Sequence, residues 1–174
     1  MRKLELFFFL AGIVTAALGM YQVLRFGNFQ RVAAASRQQV VSKPTDAVLG
    51  QLEIPRLHVT LPILANDDPA SLAVSVGQIP GTSPIGSLGN AGIAGHRDTA
   101  FRPLRNIRIG DRIETHTGQN AVYVVKAIRI VEPDDTSMLR ESSSPSLTLV
   151  TCYPFDYVGS APKRFVIQAE LRAN

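Results

Sequence analysis

The sequence predicts a mainly β domain, either a barrel or a sandwich, behind an N-terminal apolar segment. Two observations support this fold class. Short apolar runs recur from Val48 onward and are separated by Gly, Pro and Asn, whereas helical patterns in the same region are brief. The chain has 174 residues, which is room for one domain and a short additional segment.

The pattern predicts strands over 48–54, 59–64, 91–96, 111–117, 121–131, 147–152 and 164–171. It predicts short helical segments over 69–76, 99–107 and 136–141, and a long ordered loop over 78–90. Period-2 alternation is clearest in the last two strands. Leu147, Leu149 and Thr151 share one face and Cys152 lies on the other, whereas Arg164 lies opposite the core face of its strand.

The N-terminal segment contains an uncharged run from Leu6 to Leu24, close to the roughly 20 residues that a spanning helix needs. We therefore predict a membrane anchor over 1–25, a tether over 26–46 and a folded domain over 47–174. A cleaved signal peptide is the alternative, because small residues occur at Ala33 to Ser36. Both interpretations export the domain, and the first predicts a single-pass membrane protein with its domain outside the cytoplasm.

The charge distribution excludes a nucleic-acid interface on the folded domain. The net charge is +4, but residues 44–174 hold 12 basic and 13 acidic side chains, so the excess of positive charge belongs to the N-terminal segment. Five arginines occur between Arg97 and Arg112, interspersed with Asp98, Asp111 and Glu114. This mixture is typical of a solvated, salt-bridged face.

Cys152 is the single cysteine, so the chain cannot form an internal disulfide. It stands at a predicted strand end, directly before Tyr153 and Pro154, where the ladder must stop. A thiol at such a position can be exposed in a groove and act as a nucleophile. The residues alone leave open a buried structural cysteine.

A nucleophilic thiol needs a base, and the sequence has three histidines, His58, His96 and His116. His96 is the best base on context because it follows a strand of very small residues, which lets a ligand or another backbone approach closely. Arg164 is a candidate donor to an oxyanion. Spacing alone does not bring these residues to Cys152.

Three segments resemble the sortase family: T-L-V-T-C at 148–152, A-G-H-R-D at 94–98 and P-K-R-F at 162–165. The resemblance extends from about Leu49 to Leu171 and is strongest to class D, through H-R-D-T-A-F-R-P-L-R at 96–105 and C-Y-P-F-D-Y-V-G-S-A-P-K-R-F at 152–165. Two positions depart from the family pattern. Ala100 stands where an aromatic residue is usual, and His58 stands where glycine is frequent.

The resemblance implies an eight-stranded sortase-like β-barrel with short helices and a cysteine transpeptidase outside the cell membrane. Cys152 would attack an LPxTG-like sorting signal after Thr and form a thioacyl intermediate, with His96 as acid and base and Arg164 at the oxyanion. Leu149 and Thr151 are further candidates for shaping the groove. The implied partners are surface proteins that carry the signal and a primary amine from a cell-wall precursor or a pilin lysine, so the outcome is surface anchoring or pilin polymerisation.

No cofactor is expected. Calcium is an alternative, because Glu132, Asp134 and Asp135 lie in one loop and carboxylate oxygens suit that ion, although their spacing matches no complete loop motif. Two other functions stay open at this point. An exported cysteine hydrolase would use the same residues, and a membrane-tethered binding domain would bury Cys152.

Overall fold

A computed structural model describes residues 47–172, so the predicted anchor and tether lie outside the described residues. The elements of this part, in chain order, are β1 (Val48–Ile54), β2 (Val59–Leu64), α1 (Pro69–Val74), β3 (Val76–Gln78), β4 (Asn90–Ala94), β5 (Arg112–Thr117), β6 (Gln119–Val131), β7 (Ser146–Tyr153) and β8 (Lys163–Leu171). Short 3-10 turns occur at Pro55–Leu57, Arg102–Asn106 and Ser137–Leu139. Within residues 47–172, no helix is long and apolar enough to cross a membrane.

The eight strands close into a barrel in the order β1-β2-β3-β4-β7-β8-β6-β5. The β2–β3 and β4–β7 pairs are parallel, and the other pairs are antiparallel. This arrangement confirms the predicted eight-stranded barrel with short helices. The parallel β4–β7 pair joins strands that are distant in the sequence, and predicted site residues lie at the ends of both strands.

Strand β3 was missing from the sequence-based prediction, which continued the preceding helix to Val76 and began a loop at Gln78. The helix ends at Val74, and its start is capped by Asp68, whose Oδ1 accepts bonds from the backbone N–H groups of the first turn. Strand β3 has only three residues, too few for alternation to be visible. A Cβ at Gly77 would lie 1.9 Å from a backbone oxygen, so the chain passes too closely there for any side chain.

The core lies inside the barrel and consists mainly of the inward side chains of the long strands. The largest fully buried residues are Tyr123, Phe101, Leu52, Ile54, Ile63, Ile93, Leu104, Ile113, Leu147, Leu149, Ile167 and Val76. The alternation predicted for β7 and β8 agrees with this core, because Leu147, Leu149 and Ile167 point inward. The opposite faces of β4, β7 and β8 are therefore the outer surface of the barrel at this side.

Candidate active site

Two of the predicted site residues are paired on neighbouring strands, and the third follows the end of the next strand. Cys152 of β7 is directly paired with Arg164 of β8. On the other side of β7, Ala94, the last residue of β4, is paired with Val150, and the Gly95 N–H donates to the Val150 carbonyl at 3.2 Å. If the chain keeps this register for two residues past the end of β4, we expect His96 at the level of Cys152. Side chains paired in this way point to the same face. We call His96, Cys152 and Arg164 the outer row.

The exposure of the outer row suits contact with a ligand. His96 is exposed, and Cys152 and Arg164 are half-buried, so the thiol is not enclosed in the core. Side chains directly opposite each other across strands have Cβ atoms about 5 Å apart. A reactant held over Cys152 is thus within reach of the Arg164 guanidinium.

The neighbouring row on the same face consists of Ala94, Val150 and Val166. Ala94 and Val150 are partly exposed, and Val166 is buried. Small apolar side chains at this level form a shallow, non-polar floor next to the outer row.

Leu149 and Thr151 do not line this surface, which corrects our sequence-based prediction for both. Each lies one position away from the outward residues of β7, so the period of two directs its side chain into the barrel. Leu149 is fully buried in the core. Thr151 is also buried, and its hydroxyl donates a 2.7 Å hydrogen bond to the carbonyl of Gly95.

The glycine-rich strand before His96 has a packing reason. A Cβ at Gly95 would lie 2.7 Å from the ring of Phe101, which is fully buried below it. A Cβ at Gly92 would lie 3.1 Å from the side chain of Leu139 in the β6–β7 connection. Very small residues therefore let β4 lie close both to the core and to the segment that covers it, which agrees with the close approach predicted from the sequence.

The β6–β7 connection is docked onto the outer face by Asn90 and Thr148. The Asn90 amide donates to the carbonyls of Met138 and Arg140 at 2.9 and 3.2 Å. The Thr148 hydroxyl donates to Asn90 Oδ1 at 2.8 Å. These bonds hold the β6–β7 connection against one side of the outer face of β4 and β7.

The β7–β8 loop, residues 154–162, lies next to the outer row and is held by Arg97. One Arg97 nitrogen, Nη2, donates to the carbonyls of Tyr157 and Gly159 at 2.6 and 2.9 Å. The guanidinium also lies 5.9 Å from the centre of the Tyr157 ring. Because Arg97 directly follows His96, the loop is anchored beside the outer row.

Arg105, which lies with Arg97 in the connection between β4 and β5, holds the start of the β7–β8 loop. Arg105 forms an ion pair with Asp156, 2.9 Å between Nη2 and Oδ1, and lies 5.4 Å from the centre of the Phe155 ring. We predicted a solvated, salt-bridged face for this run of arginines, and Arg105 with Asp156 and Arg112 with Glu114 are such pairs. No pattern in the sequence predicts that Arg97 anchors the loop.

Arg164 has a defined position within the outer row. Its Nη1 donates to the carbonyl of Lys163 at 3.0 Å and to that of Ala161 at 3.3 Å. The guanidinium is thus fixed at the end of the β7–β8 loop, next to Cys152. A planar group held in this way can offer its other N–H donors to an oxygen that develops negative charge.

The loop acids considered for calcium are not gathered into one group. The carboxylate of Glu132 forms an ion pair with Lys163. Oδ1 of Asp135 accepts a bond from the backbone of Ser137 at 2.9 Å, and bonds from Ser137 hold the pKa of that carboxyl below its usual value. Among residues 47–172, the three-membered group whose donor atoms lie close together is a different one, Glu53, Glu114 and His116.

The arrangement can perform nucleophilic acyl transfer. A thiol, an imidazole and a guanidinium in one row supply a nucleophile, a proton carrier and an oxyanion donor. Acyl transfer by this scheme uses no catalytic side chain beyond these three.

The described domain is similar to known proteins of one family. Residues 52–172 match the family model of the Sortase domain. The chain is 30% identical to Sortase D of Bacillus subtilis, over 95% of this chain and 96% of that protein. Among solved structures, it is similar to sortase A from Corynebacterium diphtheriae with a TM-score of 0.69 and 28% identity, covering 74% of this chain and 62% of that one.

A Clostridium perfringens Sortase D5 transpeptidase has the same fold, with a TM-score of 0.67 over 80% of this chain and 89% of that one, at 22% identity. The matched residues of the family model include all three members of the outer row.

Proposed function

The chain belongs to the sortase family of cysteine transpeptidases, and on that premise we propose that the outer row is its catalytic centre. Cys152 is the nucleophile, His96 the acid and base, and Arg164 the oxyanion donor. The observation that supports this assignment is the register that pairs Cys152 with Arg164 and continues from Ala94 and Val150 to His96.

The first half-reaction is acylation. The Cys152 sulfur, as thiolate, attacks the carbonyl carbon of a threonine in an LPxTG-like sorting signal, and the carbonyl oxygen becomes an oxyanion that Arg164 stabilises. The bond from threonine to the following residue, glycine or in some substrates alanine, then breaks. His96 gives a proton to the leaving amine, and a thioester on Cys152 remains.

The second half-reaction transfers the acyl group. A primary amine enters where the leaving group departed and attacks the thioester carbonyl. His96 accepts a proton from this amine, the carbon–sulfur bond breaks, and the new amide leaves the site. The amine comes from a cell-wall precursor or from a pilin lysine, so the product is an anchored surface protein or a pilin polymer.

The substrates of sortases are surface proteins that carry sorting signals, and we propose that this enzyme meets them outside the cytoplasm. The support is the uncharged run from Leu6 to Leu24 and the basic residues around it. Residues 1–25 act as the membrane anchor and 26–46 as the tether. Full-length protein should sediment with membranes, and a chain that starts at residue 44 should be soluble and active.

The test of the activity is a peptide library based on LPxTG, incubated with the protein and candidate amines and followed by mass spectrometry. We expect cleavage after threonine and a new amide with the amine. The Cys152→Ala variant should fold normally and give no product, because the thioester requires the sulfur. Turnover by that variant would exclude the proposed nucleophile.

Hydrolysis is the second candidate function, because the same three residues would also cleave a peptide with water as the acceptor. The two outcomes separate by product. A transpeptidase converts the acyl group mainly to the amide when the amine is present, whereas a hydrolase releases the free threonine carboxylate at the same rate with or without the amine.

A further inference from the structure

A cluster of metal-ligating side chains lies on the outer face of β1 and β5, away from the outer row. Glu53 and Glu114 are directly paired across these strands, and His116 lies two positions beyond Glu114 on the same face. Each residue offers one donor atom, and the three atoms lie within 4.8 Å of one another. All three residues are half-buried.

The carboxylate pair is unfavourable without a cation, because like charges directly opposite each other across two strands repel. Arg112 offsets part of this repulsion, with its Nη2 3.0 Å from Glu114 Oε1. Its side chain is about half exposed, which weakens the pair through solvent screening. A divalent cation between Glu53 and Glu114 would convert the repulsion into attraction.

His116 is held in a manner that suits a ligand. Its Nδ1 lies 2.9 Å from Oδ1 of Asn120, which is its partner across the β5–β6 hairpin. When Nδ1 donates this bond, Nε2 keeps the lone pair that a metal requires. Metal-bound histidines typically donate their second ring N–H to an outer oxygen in this way, so Asn120 supplies a support that two carboxylates alone would lack.

Space for water ligands lies next to the cluster. His116 lines a surface cavity of about 370 Å³ together with Val48, Gly50, Gln51 and Pro62. A three-ligand site needs at least one further ligand, and water from this cavity can supply it.

The donor set selects the kind of cation. Two carboxylate oxygens and one imidazole nitrogen suit Zn²⁺ and similar first-row ions, which accept four ligands including nitrogen. Calcium prefers six to eight oxygen ligands and gains little from an imidazole. The cluster therefore differs in chemistry from the loop acids considered above.

We propose that Glu53, Glu114 and His116 form a binding site for a zinc-like divalent cation that links β1 to β5. These two strands share only three residue pairs, Gln51 with His116, Leu52 with Thr115 and Glu53 with Glu114, whereas β6 and β8 share eight. In the barrel order, β1 and β5 are four and three strands away from β7. The site thus fastens a short seam of the barrel and takes no part in the transpeptidation.

The test is a zinc titration of the full-length chain after treatment with a chelator and its removal. The Cys152→Ala background is used, because a free thiol near an imidazole would itself bind zinc. We expect one saturable site by calorimetry and a rise in melting temperature with zinc. Co²⁺ should give visible absorption bands of a four- or five-coordinate ion with the same stoichiometry.

Variants of the ligands locate the site. Glu114→Gln and His116→Ala should weaken zinc binding on the order of 100-fold, and Asn120→Ala about tenfold, as for outer partners of metal ligands. His58→Asn and Glu132→Gln are matched controls, because they remove an exposed histidine and an exposed carboxylate elsewhere, and they should bind as the parent does.

Glu53→Gln separates metal binding from a simple loss of stability. The variant without metal should melt at or above the temperature of the parent, because the repulsion with Glu114 is gone, yet it should lose the rise caused by zinc. Absence of a saturable site in the parent would overturn the proposal. Unchanged zinc affinity in both Glu114→Gln and His116→Ala would do the same.

Discussion

The hydroxyl of Thr151 donates a 2.7 Å hydrogen bond to the carbonyl of Gly95 inside the barrel. The Gly95 N–H donates in turn to the carbonyl of Val150 at 3.2 Å. The bond from Thr151 joins the residues that directly precede Cys152 and His96, and the bond to Val150 ties Gly95 to the same strand one residue earlier. On the proposed mechanism we therefore expect Thr151 to be a positioning residue, which helps to set the distance between the thiol and the imidazole.

Thr151→Val is therefore expected to lower kcat, although valine has nearly the same shape. The change leaves the buried Gly95 carbonyl without its side-chain partner, which costs roughly 1–3 kcal/mol of stability. A displacement of the two strands by a fraction of an ångström should reduce kcat roughly ten- to hundredfold. Thr151→Ser keeps the hydroxyl and should retain most of the activity. Equal kcat values for the valine and serine variants would contradict a positioning role.

Arg164→Lys should lose about 3 kcal/mol of transition-state stabilisation, or roughly a hundredfold in kcat/KM, although the charge is kept. The guanidinium can hold the carbonyls of Ala161 and Lys163 and still present N–H donors to an oxyanion, whereas an ammonium has no such planar fork. Lys163→Arg, the reverse exchange at the next position, should stay near parental activity. Steady-state kinetics on the sorting-signal peptide measure the loss. A kcat/KM of Arg164→Lys within a factor of two of the parent would mean that Arg164 is an ordinary surface charge.

Arg97→Gln should loosen the β7–β8 loop and raise KM more than it lowers kcat. Its Nη2 supplies two charge-assisted bonds to the loop carbonyls of Tyr157 and Gly159, each worth roughly 1–3 kcal/mol. Hydrogen exchange of residues 154–162 should become faster while the barrel strands stay protected. Arg102→Gln, at an exposed arginine of the same connection, is the control. Unchanged exchange in Arg97→Gln would mean that the loop keeps its position without the arginine.

The strands of the outer row could be predicted from the sequence because their alternation is regular. In β7, Leu147, Leu149 and Thr151 share the buried face, so Cys152 had to lie on the other one. The same periodicity predicts an inward Thr151, and a role for it in the groove came only from its position next to the cysteine. Alternation along β7 predicts the orientation of Thr151 correctly, whereas its position next to Cys152 in the sequence does not.

Two parts of the structure could not be predicted in this way. The three-residue strand β3 carries too little pattern to be seen, although Gly77 marks the close backbone contact that it makes. The pairing of β4 with β7 depends on the closure of the whole barrel. It cannot be read from the number of residues between His96 and Cys152. Family resemblance grouped the residues of the outer row, and the strand register supplies the physical reason.

His58→Gly should stabilise the protein by roughly 0.5–1 kcal/mol. His58 has a φ of 52° and ends the 3-10 turn at Pro55–Leu57, with its N–H bonded to the Pro55 carbonyl at 3.1 Å. Side chains other than glycine pay about 1–2 kcal/mol in this left-handed region, and the greater freedom of glycine in the unfolded chain offsets part of the gain. Urea denaturation would measure the difference. His58→Ala should give no gain, because alanine keeps the Cβ.

The final prediction concerns acid stability and rests on Asp111. This buried carboxylate accepts bonds from Nε and Nη2 of Arg56, both at 2.5 Å, and from the Arg108 backbone at 2.7 Å. The bond from Arg56 is the largest cause that holds the pKa of Asp111 below its ordinary value. Arg56 Nη2 also bonds the Asn106 carbonyl at 2.7 Å, so the pair fastens the β1–β2 corner to the connection that leads into β5.

The sign of the effect follows from the lowered pKa. A carboxyl in the unfolded chain titrates near pH 4, so the native pair contributes its full stability above about that pH and loses it as the pH falls through the lower native pKa. Asp111→Asn should therefore destabilise the protein at about pH 7 and less so at about pH 3. Urea midpoints at both pH values measure this. An equal deficit at both pH values would show that the pair's charge contributes nothing, because a loss of packing does not depend on pH.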